Sequence, residues 1–245
     1  MKQIPTVLTL LNLLCGCLAV LFVLTGDLFY AAIFVITGIL FDLFDGMAAR
    51  ALNASSEVGV ALDSLADLVT SALAPALALA QILALHFFET ELLALLVSST
   101  HSIFEKVLPL TALFIVLSAA YRLAYFNVYG SGKSNFSGLP TPAAALWVFS
   151  LPITSYFINA SAEVWYNSTG MLIGILILIT VLMHLPIPLF SLKFKRGVSQ
   201  NYWPQILFFT ALLCVVIALG WQSLPLIIPV YLLSSLAMHL PKGKN

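Results

Sequence analysis

The sequence predicts an all-α, polytopic membrane bundle of about eight transmembrane helices, and three observations carry that prediction. Hydrophobic residues make up 61 % and charged residues only 8 % of the 245 residues, whereas about a quarter of a soluble domain is charged. The apolar residues fall into runs of about 20, the length at which a helix crosses a bilayer. Most of the charged residues lie between those runs. The length suits one helical bundle, a single integral-membrane domain over residues 1–245, without room for a separate soluble domain. A net charge of zero, with no basic tract carrying interleaved aromatics, gives no footing for nucleic-acid binding.

The runs follow in order. Ile4–Leu24 lacks a small-residue cleavage site and is expected to stay as the first helix rather than leave as a signal peptide. The second covers Leu28–Ala51 and the third Val58–His86, with a short turn rich in Asn and Ser (Asn53, Ser55, Ser56) between them. Residues Phe87–Lys106, with Glu89, Glu91, His101 and Glu105, are amphipathic and read as an interfacial helix or an extended loop. A fourth span covers Val107–Val128, followed by a polar loop, Tyr129–Pro142, and a fifth span, Ala143–Asn159. The last three are Gly170–Phe190, Tyr202–Gly220 and Ser223–Leu240, with Pro186, Pro188, Pro225 and Pro229 placed to kink or end them. Trp165, Tyr166, Tyr202 and Trp203 near the span ends read as interfacial anchors.

Cys15, Cys17 and Cys214 lack metal-ligand or disulfide spacing and read as small core residues. His86, His101, His184 and His239 share no ligand spacing and read as loop or packing histidines. With both termini on one side, nine of the ten Lys and Arg residues fall on that side: Lys2, Arg50, Arg122, Lys133, Lys193, Lys195, Arg196, Lys242 and Lys244, with Lys106 opposite. Positive charge marks the cytoplasmic side, so the protein is expected in the cell (inner) membrane with that face inward.

One stretch breaks the hydrocarbon pattern. It reads Asp42-Leu-Phe-Asp45-Gly46-Met-Ala-Ala49-Arg50, then eight residues, then Gly59-Val-Ala-Leu-Asp63-Ser-Leu-Ala-Asp67. Ionisable groups beside long apolar runs are expensive and mark a functional site. Asp42 and Asp45 are three apart and Asp63 and Asp67 four apart, so each pair projects from one helix face. Two such helices facing one another converge four carboxylates on one small volume, close to the cytoplasmic headgroups rather than the midplane. Four carboxylates repel one another unless cations lie between them, and two divalent ions balance the charge. Hard oxygen ligands favour Mg²⁺, Mn²⁺ or Ca²⁺ over Zn²⁺. Gly46 and Gly59 remove side chains where a phosphate ester approaches, and Arg50 offers a fixed fork for phosphate oxygens. These residue types describe metal-assisted phosphoryl transfer.

The spacing Asp-x-x-Asp-Gly-x-x-Ala-Arg, eight residues, Gly-x-x-x-Asp-x-x-x-Asp resembles the signature of the CDP-alcohol phosphotransferases, membrane enzymes that make phospholipids from CDP-activated precursors. All eight fixed positions match. The resemblance implies that Asp42, Asp45, Asp63 and Asp67 hold two divalent cations, Mg²⁺ or Mn²⁺. It implies that Asp67 is also the catalytic base toward the acceptor hydroxyl, and that Gly46, Ala49, Arg50 and Gly59 line the CDP pocket. Asn12, a buried amide in the first helix, needs a partner; a CDP contact and helix packing are both open for it. Members of the superfamily tend to form homodimers, which is the assembly the resemblance implies.

Two further stretches narrow the resemblance. Tyr121-Arg122-Leu123-Ala124-Tyr125-Phe126-Asn127 and Phe136-Ser137-Gly138-Leu139-Pro140-Thr141-Pro142-Ala143-Ala144-Ala145 are similar to segments of the phosphatidylserine synthases within that superfamily, as is the opening Ile4–Gly16. They make 121–145 the region expected to select the acceptor, with Arg122, Asn127, Lys133 and Gly138 as its binding residues. For Arg122 a snorkelling contact with lipid headgroups is the alternative, for the Gly138 loop a plain turn, and for Lys133 an orientation charge. The substrates implied are CDP-diacylglycerol and L-serine, exchanged within membrane lipids. Tyr125 stands where a second arginine is common and Thr6 where an asparagine is usual, so the acceptor alcohol is less fixed than the reaction. Glycerol phosphate, inositol phosphate or choline is the rival acceptor. A different class, an ion or metabolite transporter with intramembrane aspartates, would instead show broken helices and repeats around the midplane.

Overall fold

Helices α1 (Ile4–Leu24) and α2 (Leu28–Ala51) take the predicted bounds and form an antiparallel pair. Pro5 starts α1, where its missing N–H is no loss. Gly26 turns the chain between them at φ +82. The computed structural model describes residues 3–54, 56–129, 138–158, 168–185 and 203–239; Lys2, Ser55, Lys133, Trp165, Tyr166, Pro186, Pro188, Lys193, Lys195, Arg196, Tyr202, Lys242 and Lys244 lie outside them.

The third predicted span is helical from Glu57 to Phe88, but in three pieces: α3 (Glu57–Asp67), a π-helical turn (Leu68–Leu73) and α4 (Ala74–Phe88). The sequence reading had one regular helix there. The wider turn has two local causes. Pro75 has no N–H to give the Ser71 carbonyl, and Thr70 Oγ1 donates across to the Asn12 carbonyl of α1 at 2.9 Å. Thr70 can come so close because glycines face it. A Cβ on Gly16 would stand 2.9 Å from the Thr70 backbone, and one on Gly38 of α2 would stand 2.7 Å from Thr70 Cγ2. In a bilayer, small residues of this kind let helices approach until backbone and side chain touch. Gly16→Ala is therefore expected to destabilise the bundle by about 1–3 kcal/mol, the usual penalty for overpacking. A thermal melt of the variant in detergent that matches the parent would contradict this.

The alanines of α4 (Ala74, Ala76, Ala78, Ala80, Ala84) are fully buried, so α4 is the centre against which the other helices pack. Its buried Gln81 accepts from the Leu92 N–H at 2.8 Å and ties down the start of α5 (Leu92–Val97). Residues 87–106, expected as an interfacial helix or an extended loop, thus hold α5 and the first turn of α6 (Ile103–Leu110). Ser102 and Glu105 cap α6 reciprocally. A short 3₁₀ turn joins α6 to α7 (Phe114–Tyr129), and α8 (Thr141–Ile158) and α9 (Thr169–Leu182) follow.

Helices α10 (Trp203–Leu219) and α11 (Ile227–His239) are joined by a 3₁₀ segment, Gly220–Leu226, so by length they read as one long apolar run. A straight helix would part Phe208 and Tyr231 by about 35 Å, yet their rings stand 5.7 Å apart. The run is a hairpin, turned at Gly220 with φ +53. Among the described residues six runs are long and apolar enough to cross a membrane, with α9 a shorter apolar helix. About eight were expected; the difference is that α9 has only 14 residues and that the α10–α11 stretch counts as one run. All regular elements of the described residues are helical.

One expectation is corrected. Cys15 is buried as foreseen, but Cys17 and Cys214 are exposed on the bundle surface, because an apolar run in a membrane protein faces lipid as readily as it faces the core. The histidines do read as loop and packing residues where described: His86 Nε2 meets Thr169 Oγ1 at 2.9 Å, His101 lies 3.5 Å from Glu105, and His184 packs on Tyr121.

Candidate active site

Two residues past the end of α2, Asn53 takes a left-handed φ of +47, which an asparagine tolerates better than most residues. The chain then reverses, and Ser56 caps α3 by accepting the Gly59 N–H at 3.0 Å. This tight reversal faces the last turns of α2 against the first turns of α3. It brings the two halves of the aspartate signature together.

The ligand oxygens of Asp42, Asp45 and Asp63 lie within 4.8 Å of one another. A divalent ion bound at about 2.0–2.6 Å to each oxygen spans just such a set. Two further observations favour a cation there. At that separation the carboxyl groups repel one another if all are ionised, and a cation between them removes the repulsion. Asp63 Oδ1 is buried and has no partner among the described residues, although buried polar atoms are nearly always satisfied. The residues present therefore fit a divalent ion.

Asp67 stands outside this trio, one helical turn beyond Asp63. It is 9 % exposed, its Oδ1 accepts from Asn12 Nδ2 at 3.4 Å, and it lies in electrostatic reach of Asp42, Asp45 and Arg122. Asp45, 6 % exposed, accepts from Thr9 Oγ1 at 2.5 Å. Beside the trio a cavity of about 150 Å³ is lined by Pro5, Thr9, Gly46, Ala49, Gly59 and Asp63, among others. A Cβ at Gly46 would meet nothing within 4 Å, so that glycine leaves open space at the site. Arg50 is exposed in the last turn of α2.

The acceptor candidates divide. Arg122 is half-buried on α7 within reach of Asp67. Asn127, one and a half turns on, is bound to Ser64 of α3: its Nδ2 donates to Ser64 Oγ at 2.9 Å, and the two line a separate cavity with Leu68 and Leu123. Lys133 falls outside the described residues. Gly138 has φ +84, and a Cβ there would stand 2.8–3.0 Å from the Met183, Leu182 and Leu185 carbonyls; the neighbours it has are the end of α9. Tyr125 is exposed and packs between Tyr121 and Tyr129. Thr9 escaped the sequence reading, since a threonine in an apolar helix carries no signal until its partner is known.

A larger cavity, about 670 Å³, lies at the other end of the bundle between Asp27, Tyr30, His86, Glu89 and Tyr156. It contains none of the signature residues. Volume alone would choose it, but the carboxylates that converge are at the smaller one.

A family model described as CDP-alcohol phosphatidyltransferase matches residues 2–238. The CDP-diacylglycerol–serine O-phosphatidyltransferase of Bacillus subtilis (strain 168) is 37 % identical over 154 residues, 63 % of this chain and 77 % of that relative. Archaetidylserine synthase of Methanothermobacter thermautotrophicus is 32 % identical over 161 residues, 65 % of this chain and 61 % of the relative. The CDP-diacylglycerol–serine O-phosphatidyltransferase of Saccharomyces cerevisiae is 37 % identical over 142 residues, 53 % of this chain and 45 % of the relative.

Proposed function

Because the chain belongs to the CDP-alcohol phosphatidyltransferase family, we propose that it transfers the phosphatidyl group of CDP-diacylglycerol to L-serine, giving phosphatidylserine and CMP. The observation that carries the reaction is the trio Asp42, Asp45 and Asp63, gathered within 4.8 Å beside a cavity lined by Gly46, Ala49 and Gly59 of the signature. The names of the relatives from Bacillus subtilis and Saccharomyces cerevisiae carry the acceptor.

Asp42, Asp45 and Asp63, with Asp67 at their edge, hold Mg²⁺ or Mn²⁺. When bound, these ions polarise the pyrophosphate and neutralise charge on the departing CMP phosphate. Gly46, Ala49 and Gly59 make the wall along which the nucleotide lies, and Arg50 pairs with a phosphate oxygen. Asp67 takes the proton of the serine hydroxyl as its oxygen attacks the phosphatidyl phosphorus. The new P–O bond forms as the bond to CMP breaks, and the electron pair leaves with CMP. Arg122, near Asp67, pairs with the serine carboxylate, and Asn127 and Ser64 border the same approach.

One integral-membrane domain over 1–245, in the inner membrane with the signature facing the cytoplasm, suits this chemistry. The lipid substrate stays in the bilayer while serine and CMP exchange with the cytosol. Arg50 and Arg122 stand at the signature end, and Asp27 and Glu89 at the other.

The test is CMP release by purified protein in mixed micelles with CDP-diacylglycerol and Mg²⁺ or Mn²⁺, comparing L-serine with glycerol 3-phosphate, inositol phosphate and choline. Release that needs both metal and serine is expected. Metal-dependent release with another alcohol alone would remove serine and keep the phosphotransferase. Arg122→Ala is expected to raise the KM for serine by about 10-fold or more, the loss of one charge-assisted pair, with the KM for CDP-diacylglycerol little changed. An unaltered serine KM would take Arg122 out of the acceptor pocket.

A further inference from the structure

Helix α1 contributes nothing to the aspartate signature, yet two of its side chains hold two of the four carboxylates. Thr9 and Asn12 are three residues apart and so share one face of α1. They are 4 % and 0 % exposed. Thr9 Oγ1 donates to Asp45 Oδ2 at 2.5 Å, with the Pro5 carbonyl 3.0 Å away as a second acceptor for the same proton. Asn12 Nδ2 donates to Asp67 Oδ1 at 3.4 Å.

Both are themselves held. Asn12 is fixed through its main chain by Thr70, which donates to its carbonyl at 2.9 Å from the π-helical turn that follows Asp67. Among the described residues its side-chain oxygen has no hydrogen-bond partner, and a Cβ on Gly38 would come within 2.8 Å of it. A fully buried amide closed in on these sides makes poor contact with a nucleotide in the cavity. A helix-packing asparagine, for its part, would satisfy its oxygen rather than spend its N–H on a carboxylate.

We propose that Thr9 and Asn12 are the positioning residues of the site: each engages one oxygen of its carboxylate, Asp45 or Asp67, and leaves the other free for a cation or a proton. Hydrogen bonds behind metal-ligating groups set their orientation, and losing one typically lowers affinity or activity about 10–100-fold. Thr9 acts through a metal ligand and so governs the ion. Asn12 acts through the base and so governs turnover. The inference rests on the roles given above to Asp45 and Asp67.

The experiment uses the full chain in mixed micelles with three near-isosteric variants: Thr9→Val, Asn12→Leu and, as control, Thr37→Val, whose hydroxyl donates to the Ile33 carbonyl within α2. Melting temperature, Mn²⁺ affinity without lipid substrate, and kcat and KM for CMP release are measured, using whichever acceptor the parent accepts. Thr9→Val is expected to weaken Mn²⁺ binding about 10–100-fold, and Thr9→Ser, which keeps the hydroxyl, to restore it. Asn12→Leu is expected to lower kcat about 10–100-fold while Mn²⁺ affinity and the KM for CDP-diacylglycerol stay within about two-fold. Should Asn12→Leu fail to fold, Asn12→Ala gives the same kcat reading without adding bulk. Variants that bind Mn²⁺ and turn over like the Thr37→Val control would make both residues plain packing and overturn the inference. A raised KM with kcat intact would make Asn12 a substrate contact and overturn its half. A parent that binds Mn²⁺ and releases CMP with another alcohol instead overturns only the serine reading, while a parent that binds no Mn²⁺ overturns the metal reading and Thr9 with it.

Discussion

Asp67→Asn is expected to lower CMP release by about 10²–10⁴-fold, the range that a positioned general base contributes, while the protein still folds and still binds Mn²⁺ and nucleotide. The substitution keeps the size of the side chain and an oxygen that can face Asn12 Nδ2, the partner seen at 3.4 Å. It removes the site to which the acceptor proton goes. Because the tight trio is Asp42, Asp45 and Asp63, with Asp67 to one side, an ion can still be held when Asp67 is neutral. A serine hydroxyl is a weak nucleophile until its proton has somewhere to go, so the loss falls on kcat. Single-turnover CMP release alongside Mn²⁺ titration separates the two effects. Turnover at the parental rate would remove Asp67 as the base, and lost Mn²⁺ binding with lost turnover would make it chiefly a metal ligand.

Much of this site was legible because its residues are out of place in their surroundings. Aspartates beside long apolar runs are expensive, so Asp42, Asp45, Asp63 and Asp67 stand out against hydrocarbon, and their spacing of three and four places each pair on one helix face. The bounds of α1 and α2 were legible for a similar reason: Pro5, the Thr25–Asp27 turn and the polar residues after Ala51 punctuate long runs. What escaped depends on partners distant in sequence. Thr9 has the look of any threonine in an apolar helix until Asp45, thirty-six residues away, is seen against it. The π-helical turn after Asp67 has one local mark, Pro75, but it also needs the Thr70 bond to Asn12 and close approach at Gly16 and Gly38, which the neighbouring sequence does not reveal. Gly138 looked equally suited to a turn or to a substrate, and its contacts with three carbonyls at the end of α9 are set by tertiary packing. The surface position of Cys17 and Cys214 was hidden because composition does not separate the lipid-facing side of a membrane helix from its core side.

Removing the metal and removing a carboxylate should act on stability with opposite signs. The ligand oxygens of Asp42, Asp45 and Asp63 all lie within 4.8 Å of one another. Two unit charges about 4 Å apart at an effective dielectric constant near 20 repel by on the order of 4 kcal/mol, so the metal-free site strains the α2–α3 hairpin. Neutralising one member by Asp63→Asn relieves that repulsion, and the melting temperature in EDTA is expected to rise above that of the parent. In saturating Mn²⁺ the order should reverse. A ligand at 100 times its Kd stabilises the folded state by about 2.7 kcal/mol, a gain the parent keeps and the variant largely loses. CMP release should fall in step, to background for the parent in EDTA and by about 10³-fold or more for Asp63→Asn in Mn²⁺. Melting curves of both proteins in EDTA and in Mn²⁺ give all four values at once. If Mn²⁺ leaves the parent unmoved and Asp63→Asn melts no higher than the parent in EDTA, the trio is not a cation site, and the carboxylates are held together by a shared proton instead.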